Sequence, residues 1–124
     1  MIKSLITAST IFLNKAKGVL AVYYTPVKFE ILEFNIDGVK IRKVFASWYG
    51  DYLYSDNWRL SSGIVDVVEE DEYLLIKNIS GSIYKVREDS VGMSPYASEV
   101  LQSWIKQTKS RPNTSIEIVT SEYV

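Results

Sequence analysis

The sequence contains no cysteine and no histidine among its 124 residues. Without cysteine, a chain has no disulfide, no thiolate metal site and no thiol nucleophile. Without histidine, it lacks the side chain whose pKa lies nearest neutrality, which is the commonest general base and a frequent metal ligand. Most routes to nucleophilic and metal-dependent catalysis are therefore missing, and we expect a protein that binds its target, with no metal, no cofactor and no enzymatic activity.

The chain also lacks a large excess of charge of either sign. Fourteen Lys and Arg residues oppose fifteen Asp and Glu residues, which gives a formal net charge of -1. No global basic field is present to attract DNA, RNA or an acidic membrane, so we expect none of these as a partner. No stretch approaches the roughly 20 apolar residues that span a bilayer, and hydroxyl residues interrupt the apolar N-terminal run. The expected location is therefore cytoplasmic.

The residues that are present predict one β-rich domain over residues 1–124. Hydrophobic residues make up 47% of the chain and charged residues 23%, as in ordinary globular domains. Apolar and polar residues alternate in short runs from residue 5 to residue 86, which is typical of half-buried strands. This pattern predicts a mainly β, α+β fold: a small antiparallel β-barrel or sandwich of about seven strands with one C-terminal α-helix.

Several local signals divide the β region. The first two strands are predicted over residues 5–13 and 19–24, with a turn between them at residues 14–18. Asp37-Gly38 favours the positive φ angles of a two-residue hairpin turn. A later strand is predicted over residues 58–68, with a kink at Gly63. Acidic residues at 69–72 indicate a hairpin tip, and Gly81 indicates a turn or bulge between two further short strands.

The helix is predicted over about residues 95–109, followed by a short strand at about 115–119. Ser94 is a favourable N-cap, and Pro95 suits the first helical position. An apolar stripe that includes Trp104 repeats at helical spacing. This stripe either seals the core of its own chain or packs against the same helix of a second copy. We expect the second arrangement, a homodimer or a higher homo-oligomer formed through the C-terminal helix.

The segment over residues 47–57 interrupts the strand pattern and carries four aromatic residues. These are Trp48, Tyr49, Tyr52 and Tyr54. Such side chains either offer flat faces on which a base stacks, fold back onto the core, or form the centre of a protein interface.

Two polar segments are candidates for binding an anion. On a strand, Asn57, Arg59 and Ser61 share one face while Trp58 and Leu60 share the other. Such a row either holds a phosphate or is a solvated strand face. Ser80-Gly81-Ser82 either presents backbone N–H groups and hydroxyls to an anion or forms an ordinary hairpin turn.

Three segments together resemble the first-described class of phage anti-Thoeris sponge proteins. They are residues 58–64 (Trp-Arg-Leu-Ser-Ser-Gly-Ile), residues 78–86 (Asn-Ile-Ser-Gly-Ser-Ile-Tyr-Lys-Val) and the helix over residues 94–106, in this order in a cysteine-free chain. The resemblance implies a protein that binds cyclic ADP-ribose isomers in an infected bacterial host and sequesters them without cleavage. It also implies a homodimer or higher assembly with nucleotide pockets near the subunit interface.

Such a ligand has two phosphates, two riboses and one purine, and the chain has side chains suited to each. Arg59 and Arg87 suit the phosphates, and Trp48 or Tyr84 suits the purine. Asparagine and serine side chains suit the ribose hydroxyls. The predicted ligand-binding set is Trp48, Asn57, Arg59, Asn78, Ser80, Ser82, Tyr84, Arg87, Met93 and Arg111. The alternative function is a protein-interaction module, such as an immunity or inhibitor protein that binds a partner enzyme directly.

Overall fold

The structure, a computed structural model, describes residues 10–14, 19–50 and 55–124. These residues form nine strands, one α-helix and a terminal 3-10 turn. In chain order they are β1 (Thr10–Asn14), β2 (Val19–Tyr24), β3 (Lys28–Ile36), β4 (Val39–Trp48), β5 (Asn57–Leu60), β6 (Ile64–Glu70), β7 (Tyr73–Asn78), β8 (Ile83–Arg87), α1 (Pro95–Thr108), β9 (Thr114–Ile118) and the 3-10 turn (Thr120–Glu122).

The strands form two sheets, and the fold is a small α+β sandwich. Sheet 1 has the strand order β1-β2-β8-β7-β6, and sheet 2 has the order β5-β4-β3-β9. The pairing of β2 with β8 is parallel, whereas the other strand pairs are antiparallel. The predicted β-rich fold with one C-terminal helix is confirmed. Of the two predicted architectures the sandwich is present, because each sheet ends in edge strands and neither closes into a barrel.

The main core lies between the two sheets. Inward-facing residues alternate along β3, β4, β7 and β8, because successive side chains on a strand point to opposite faces. Their buried members include Phe29, Ile31, Val44, Ala46, Trp48, Leu74, Ile76, Tyr84 and Val86. Trp48 therefore belongs to the core, and the predicted aromatic segment is in part a core segment. Tyr52 and Tyr54, from the same segment, lie outside the described residues.

A second, smaller core joins the helix to the outer face of sheet 2. Ala97 and Leu101 of α1 are buried against Leu32 and Phe45. The Trp104 ring packs against Phe45, with ring centroids 5.4 Å apart. The apolar stripe of the helix thus seals the core of its own chain, while its pairing with a second copy stays a prediction.

The predicted turns and boundaries are largely confirmed. Asp37 and Gly38 have φ angles of 52° and 86°, as the two-residue hairpin requires. The helix ends at Thr108 and the last strand covers Thr114–Ile118, each within one residue of the prediction. The structure describes Thr10–Asn14 as strand, whereas residues 5–9 of the predicted first strand and residues 15–18 of its turn lie outside the described residues.

The strand predicted over residues 58–68 is instead two strands in different sheets. The chain leaves sheet 2 after Leu60 and enters sheet 1 at Ile64. Gly63 lies at this crossing, where an added Cβ would be 3.0 Å from Ile79 Cδ1. The predicted kink at Gly63 therefore lies at a change of sheet, where close packing leaves little room for a side chain. In the described ranges, no helix has the length and apolar character needed to cross a bilayer.

The helix cap gives a test of this architecture. Ser94 is fully buried, its hydroxyl accepts the Ala97 N–H at 3.0 Å, and its own N–H donates to Ser47 Oγ at 3.1 Å. We expect Ser94→Ala to lower the free energy of unfolding by about 1–2 kcal/mol, because the Ala97 N–H loses its acceptor. Urea denaturation measures this loss, with Ser103→Ala on the exposed face of the helix as control. Equal stabilities of the two variants would contradict the prediction.

Candidate functional site

A polar cavity of about 260 Å³ lies where β5 of sheet 2 approaches β2 and β8 of sheet 1. We call it the Arg59 cavity. It draws on the end of β2, on β5 with the residues that follow it, and on the turn between β7 and β8. Its lining residues are Val22, Tyr24, Arg59, Leu60, Ser61, Ser62, Ser80, Gly81, Ser82 and Tyr84.

The register of β5 explains why Arg59 faces the cavity. Arg59 lies opposite Ala46, which belongs to the core between the sheets. Trp58 and Leu60 pack on the other face, against the helix. The predicted alternation of these three residues is confirmed. Because β5 is an edge strand, Arg59 reaches toward the space between the sheets while its side chain keeps access to solvent.

Ser61 does not extend the row that the sequence predicted. The strand ends at Leu60, and Ser61 is 5% exposed. Its hydroxyl accepts the Val44 N–H at 2.8 Å and donates to the Ser62 carbonyl oxygen at 2.7 Å. Ser61 therefore fixes the start of the crossing between the sheets, and its hydroxyl has no proton left for a ligand.

The Arg59 guanidinium lies over an aromatic ring and has no carboxylate partner in the part of the chain that the structure describes. Its Cζ atom is 4.6 Å from the centroid of the Tyr24 ring, which itself stacks on Tyr84 at 4.8 Å. None of the ion pairs among the described residues includes Arg59. A cation–π contact leaves most of the five N–H donors of an arginine available. Arg59 thus brings to the cavity a positive charge that no described carboxylate compensates.

Three serine hydroxyls form a hydrogen-bonded chain on the opposite wall. Ser62 Oγ donates to Ser80 Oγ at 3.0 Å, and it accepts the Ser80 N–H at 3.1 Å. Ser80 Oγ and Ser82 Oγ are 3.1 Å apart. Gly81 holds the turn between them with a φ of 91°, a conformation that residues with a side chain rarely adopt. The predicted Ser-Gly-Ser concavity is both a hairpin turn and part of the cavity wall.

Asn78 supports this turn from behind. It is 4% exposed, and its Nδ2 donates to the Ser82 carbonyl oxygen at 3.1 Å and to Ser82 Oγ at 3.2 Å. Its Oδ1 is buried and has no hydrogen-bond partner among the described residues. Asn78 does not line the cavity, so in this structure it positions Ser82 and does not itself meet a ribose hydroxyl.

The two aromatic residues predicted to stack on a purine are both buried. Trp48 is 2% exposed, and its Nε1–H donates to the Thr25 carbonyl oxygen at 3.2 Å. Tyr84 is 1% exposed and is covered by Tyr24. A base needs an open ring face to stack. This structure therefore corrects the role given to Trp48, which is a core residue, and to Tyr84, which forms the floor of the cavity.

Burial also sets the protonation state of Tyr84. Loss of hydration raises the pKa of Tyr84 to about 12, although the nearby Arg59 cation acts in the opposite direction. The phenol is therefore neutral at physiological pH. Among the described residues, no group of three or more acidic side chains is placed to hold a metal ion. What the cavity offers to a ligand is a set of hydrogen-bond donors and one positive charge.

The remaining members of the predicted set lie elsewhere. Arg87 pairs with Asp89 at 3.0 Å and with Glu72 at 2.9 Å, so its charge is compensated on the surface of sheet 1. Met93 packs against the helix core. Arg111 lines a separate groove beside the C-terminal end of the helix. Asn57 is on the same face of β5 as Arg59, but it is not part of the cavity wall.

Four of the predicted residues meet at the cavity: Arg59, Ser80, Ser82 and Tyr84. Sequence reasoning missed Tyr24 as a cavity residue, although it ends a predicted strand just before Pro26. It also left Ser62 without a role, although Ser62 belongs to the segment 58–64. Both omissions have the same cause. Tyr24 and Ser62 line the cavity only because the two sheets approach each other, and the sequence does not show this approach.

No family model, no curated protein sequence and no solved structure matches this chain.

The pKa of Tyr84 gives a test of this geometry. Between pH 10 and about 12 the unfolded chain releases the Tyr84 proton while the folded chain retains it, so stability falls as the pH rises. We expect Tyr84→Phe to reduce this fall by up to about 3 kcal/mol.

Urea denaturation at a series of pH values between 9 and 12 measures the effect. The control is Tyr96→Phe, because Tyr96 is 48% exposed and its loss leaves the alkaline fall as in the unsubstituted protein. Identical alkaline profiles of the two variants would show that Tyr84 titrates normally, and the buried floor of the cavity would then be wrong.

Proposed function

We propose that this protein binds a cyclic nucleotide signal of the cyclic ADP-ribose type in the Arg59 cavity and sequesters it without cleaving it, and so inhibits a bacterial anti-phage defence. One observation carries the proposal: in one cavity, linked serine hydroxyls face an arginine that pairs with no carboxylate of the described residues. The protein acts in the cytoplasm of the infected host, as a homodimer or a larger homo-oligomer.

The donors of the cavity favour a ligand that bears phosphate. A guanidinium offers forked N–H donors that match phosphate oxygens, and hydrogen bonds to a charged acceptor are stronger than neutral ones. Glu72 and Asp89 compensate the charge of Arg87. Among the described residues no carboxylate does this for Arg59, and an anionic ligand would supply the missing negative charge.

The identity of the ligand is supported by the resemblance and by where its segments lie. Residues 58–64 and 78–86 are separated in the sequence, and both contribute to the wall of the Arg59 cavity. The third segment, the helix, packs on the other face of sheet 2. Two of the three segments that resemble the sponge proteins therefore belong to the site where we propose that the nucleotide binds.

Sequestration without cleavage agrees with the chemistry of the cavity. A protein that removes a signal needs tight binding and slow release, and it needs no groups that stabilise a transition state. The described lining residues include no histidine, cysteine or carboxylate, and the Tyr84 phenol is neutral at physiological pH. None of these described side chains is suited to act as a general base.

Calorimetry with the purified full-length protein tests the proposal. We expect a cyclic ADP-ribose isomer to bind, and heat denaturation of the complex to release it intact. Arg59→Gln should weaken binding by about 10- to 100-fold, because a hydrogen bond to a charged group contributes about 1.5–3 kcal/mol. Arg87→Gln is the matched control, since Arg87 lies outside the cavity with its charge compensated, and its affinity should equal that of the unsubstituted protein.

Three results would each contradict the proposal. They are the absence of binding to any isomer, the recovery of cleaved ligand, and an equal loss of affinity in both arginine variants. Circular dichroism of each variant shows whether it is folded, so a loss of affinity is not confused with unfolding.

The second candidate function, direct binding to a partner protein, is favoured by one surface. Ile36, Val39 and Ile41 at the end of the β3–β4 hairpin are 54%, 63% and 42% exposed. The strand register places them on one face of sheet 2. Exposed apolar residues that lie together are typical of protein interfaces. Trp48, which the sequence suggested as the centre of such an interface, is buried and unsuited to this role.

The two functions are separated by a pair of variants in infected cells. If a partner protein is the target, Val39→Lys abolishes inhibition of the defence, whereas Arg59→Gln leaves inhibition intact. If sequestration is the function, the two variants give the opposite results.

A further inference from the structure

We infer that the Arg59 cavity receives the phosphorylated pentose of its ligand and leaves the purine outside. The inference rests on the proposed function, and it names the part of the nucleotide that this site recognises. It makes Ser80 and Ser82, together with Arg59, the residues that determine specificity.

The size of the cavity is the first argument. Pockets that enclose a drug-sized ligand have volumes of about 300–1,000 Å³. The Arg59 cavity has about 260 Å³, below that range. A ligand with one purine, two pentoses and two phosphates is too large for it, so the cavity holds a part of such a ligand.

The burial of the aromatic rings is the second argument, and it excludes the purine from the cavity. Tyr24 and Tyr84 are the aromatic residues of the described wall, and they are 8% and 1% exposed. The Tyr24 ring contacts both the Tyr84 ring and the Arg59 guanidinium. Neither ring has an open face on which a base can stack. One face of the Tyr24 ring carries the Arg59 guanidinium, and the Tyr84 ring supports Tyr24.

The hydroxyl protons of the serines are the third argument. Ser62 donates its proton to Ser80 Oγ, and a single proton lies between Ser80 Oγ and Ser82 Oγ. Ser80 and Ser82 have two hydroxyl protons in total, and their mutual hydrogen bond uses one of them. Whichever residue donates, the other retains a proton that has no acceptor among the described residues. The wall therefore has a spare O–H donor as well as the N–H donors of Arg59.

A phosphorylated pentose matches the N–H and O–H donors of this cavity. Its phosphate oxygens only accept, so they pair with the guanidinium and with the spare serine proton. Its hydroxyl groups both donate and accept, so they can join the serine chain at either end. A purine would instead leave the charge of Arg59 uncompensated. The lining of Arg59, Ser80 and Ser82 therefore selects the sugar phosphate that many nucleotides share.

The test uses ribose 5-phosphate, adenosine and inorganic phosphate as probes of the purified full-length protein. Calorimetry measures direct binding, and displacement measures competition with a bound cyclic ADP-ribose isomer. We expect ribose 5-phosphate to bind and to compete, and adenosine to do neither. We expect inorganic phosphate to compete at least 10-fold more weakly than ribose 5-phosphate, because it lacks the pentose hydroxyls.

Variants locate the binding in this cavity. The double variant Ser80→Ala, Ser82→Ala should weaken binding of ribose 5-phosphate by about 10- to 100-fold, because it removes the hydroxyl proton that pairs with the charged phosphate. Ser115→Ala, an exposed serine on β9, is the control and should bind as the unsubstituted protein does. If the double variant fails to fold, Arg59→Gln takes its place and should abolish detectable binding of ribose 5-phosphate.

The outcomes separate this inference from the proposed function. If a cyclic ADP-ribose isomer binds and adenosine displaces it while ribose 5-phosphate does not, the inference is overturned and the proposed function stands. If ribose 5-phosphate binds and no cyclic isomer does, the inference stands and the proposed function fails. Equal competition by inorganic phosphate and ribose 5-phosphate would show that the cavity does not recognise the pentose, and that part of the inference would be wrong. Failure of ribose 5-phosphate to bind would overturn it.

Discussion

The stack of Tyr24 on Tyr84 is the contact on which both the sandwich and its cavity depend. The two residues are register partners in the parallel pairing of β2 with β8, which has two such pairs in the described chain. This short pairing joins the β1–β2 hairpin to the rest of sheet 1. The same rings form the floor of the Arg59 cavity and support the guanidinium. An aromatic pair adds about 0.5–1.5 kcal/mol to stability beyond the contribution of its buried area. The Tyr24–Tyr84 contact therefore stabilises the sheet, and its position makes it a support for the site as well. Loss of the Tyr84 ring would therefore affect stability and binding together.

Local rules predicted the parts of this fold that depend on neighbouring residues. Asp37-Gly38 forms its turn because two adjacent residues need positive φ angles, and Ser94 caps the helix because its side chain reaches an N–H three residues ahead. The alternation of Trp58, Arg59 and Leu60 follows from strand geometry alone. The change of sheet after Leu60 was not predicted, because it depends on Val44 in β4 and on Ile79 just after β7, which are both distant from Leu60 in the sequence. A pattern within one segment carries no information about that approach.

Because local patterns do not reveal contacts between distant segments, they also did not show which predicted site residues lie together in the cavity. Arg59 and Arg87 each lie on a strand, but only Arg87 has acidic residues beside it in the sequence. In the structure Arg87 pairs with Asp89, two residues ahead, and with Glu72 across the β7–β8 pairing, whereas the Arg59 guanidinium lies over the Tyr24 ring. Trp48 was assigned to a loop because its neighbours are polar, but β4 continues to Trp48 and turns the indole into the core. For Arg59 and Trp48 the deciding contacts are with residues distant in the sequence, and composition and spacing do not reveal such contacts.

The position of Arg59 also explains how a charged residue is tolerated beside a buried core. Burial of an unpaired guanidinium would be costly, and a central strand would have forced that cost. At the edge strand β5 the side chain keeps access to solvent, while its flat face covers Tyr24. The aromatic support restricts the guanidinium without neutralising it, so less conformational entropy is lost when an anion binds. The edge strand β5 thus places a partly ordered cation, which pairs with no described carboxylate, next to the serine hydroxyls of the other sheet. A cation and hydroxyl groups are the two kinds of donor that a sugar phosphate requires.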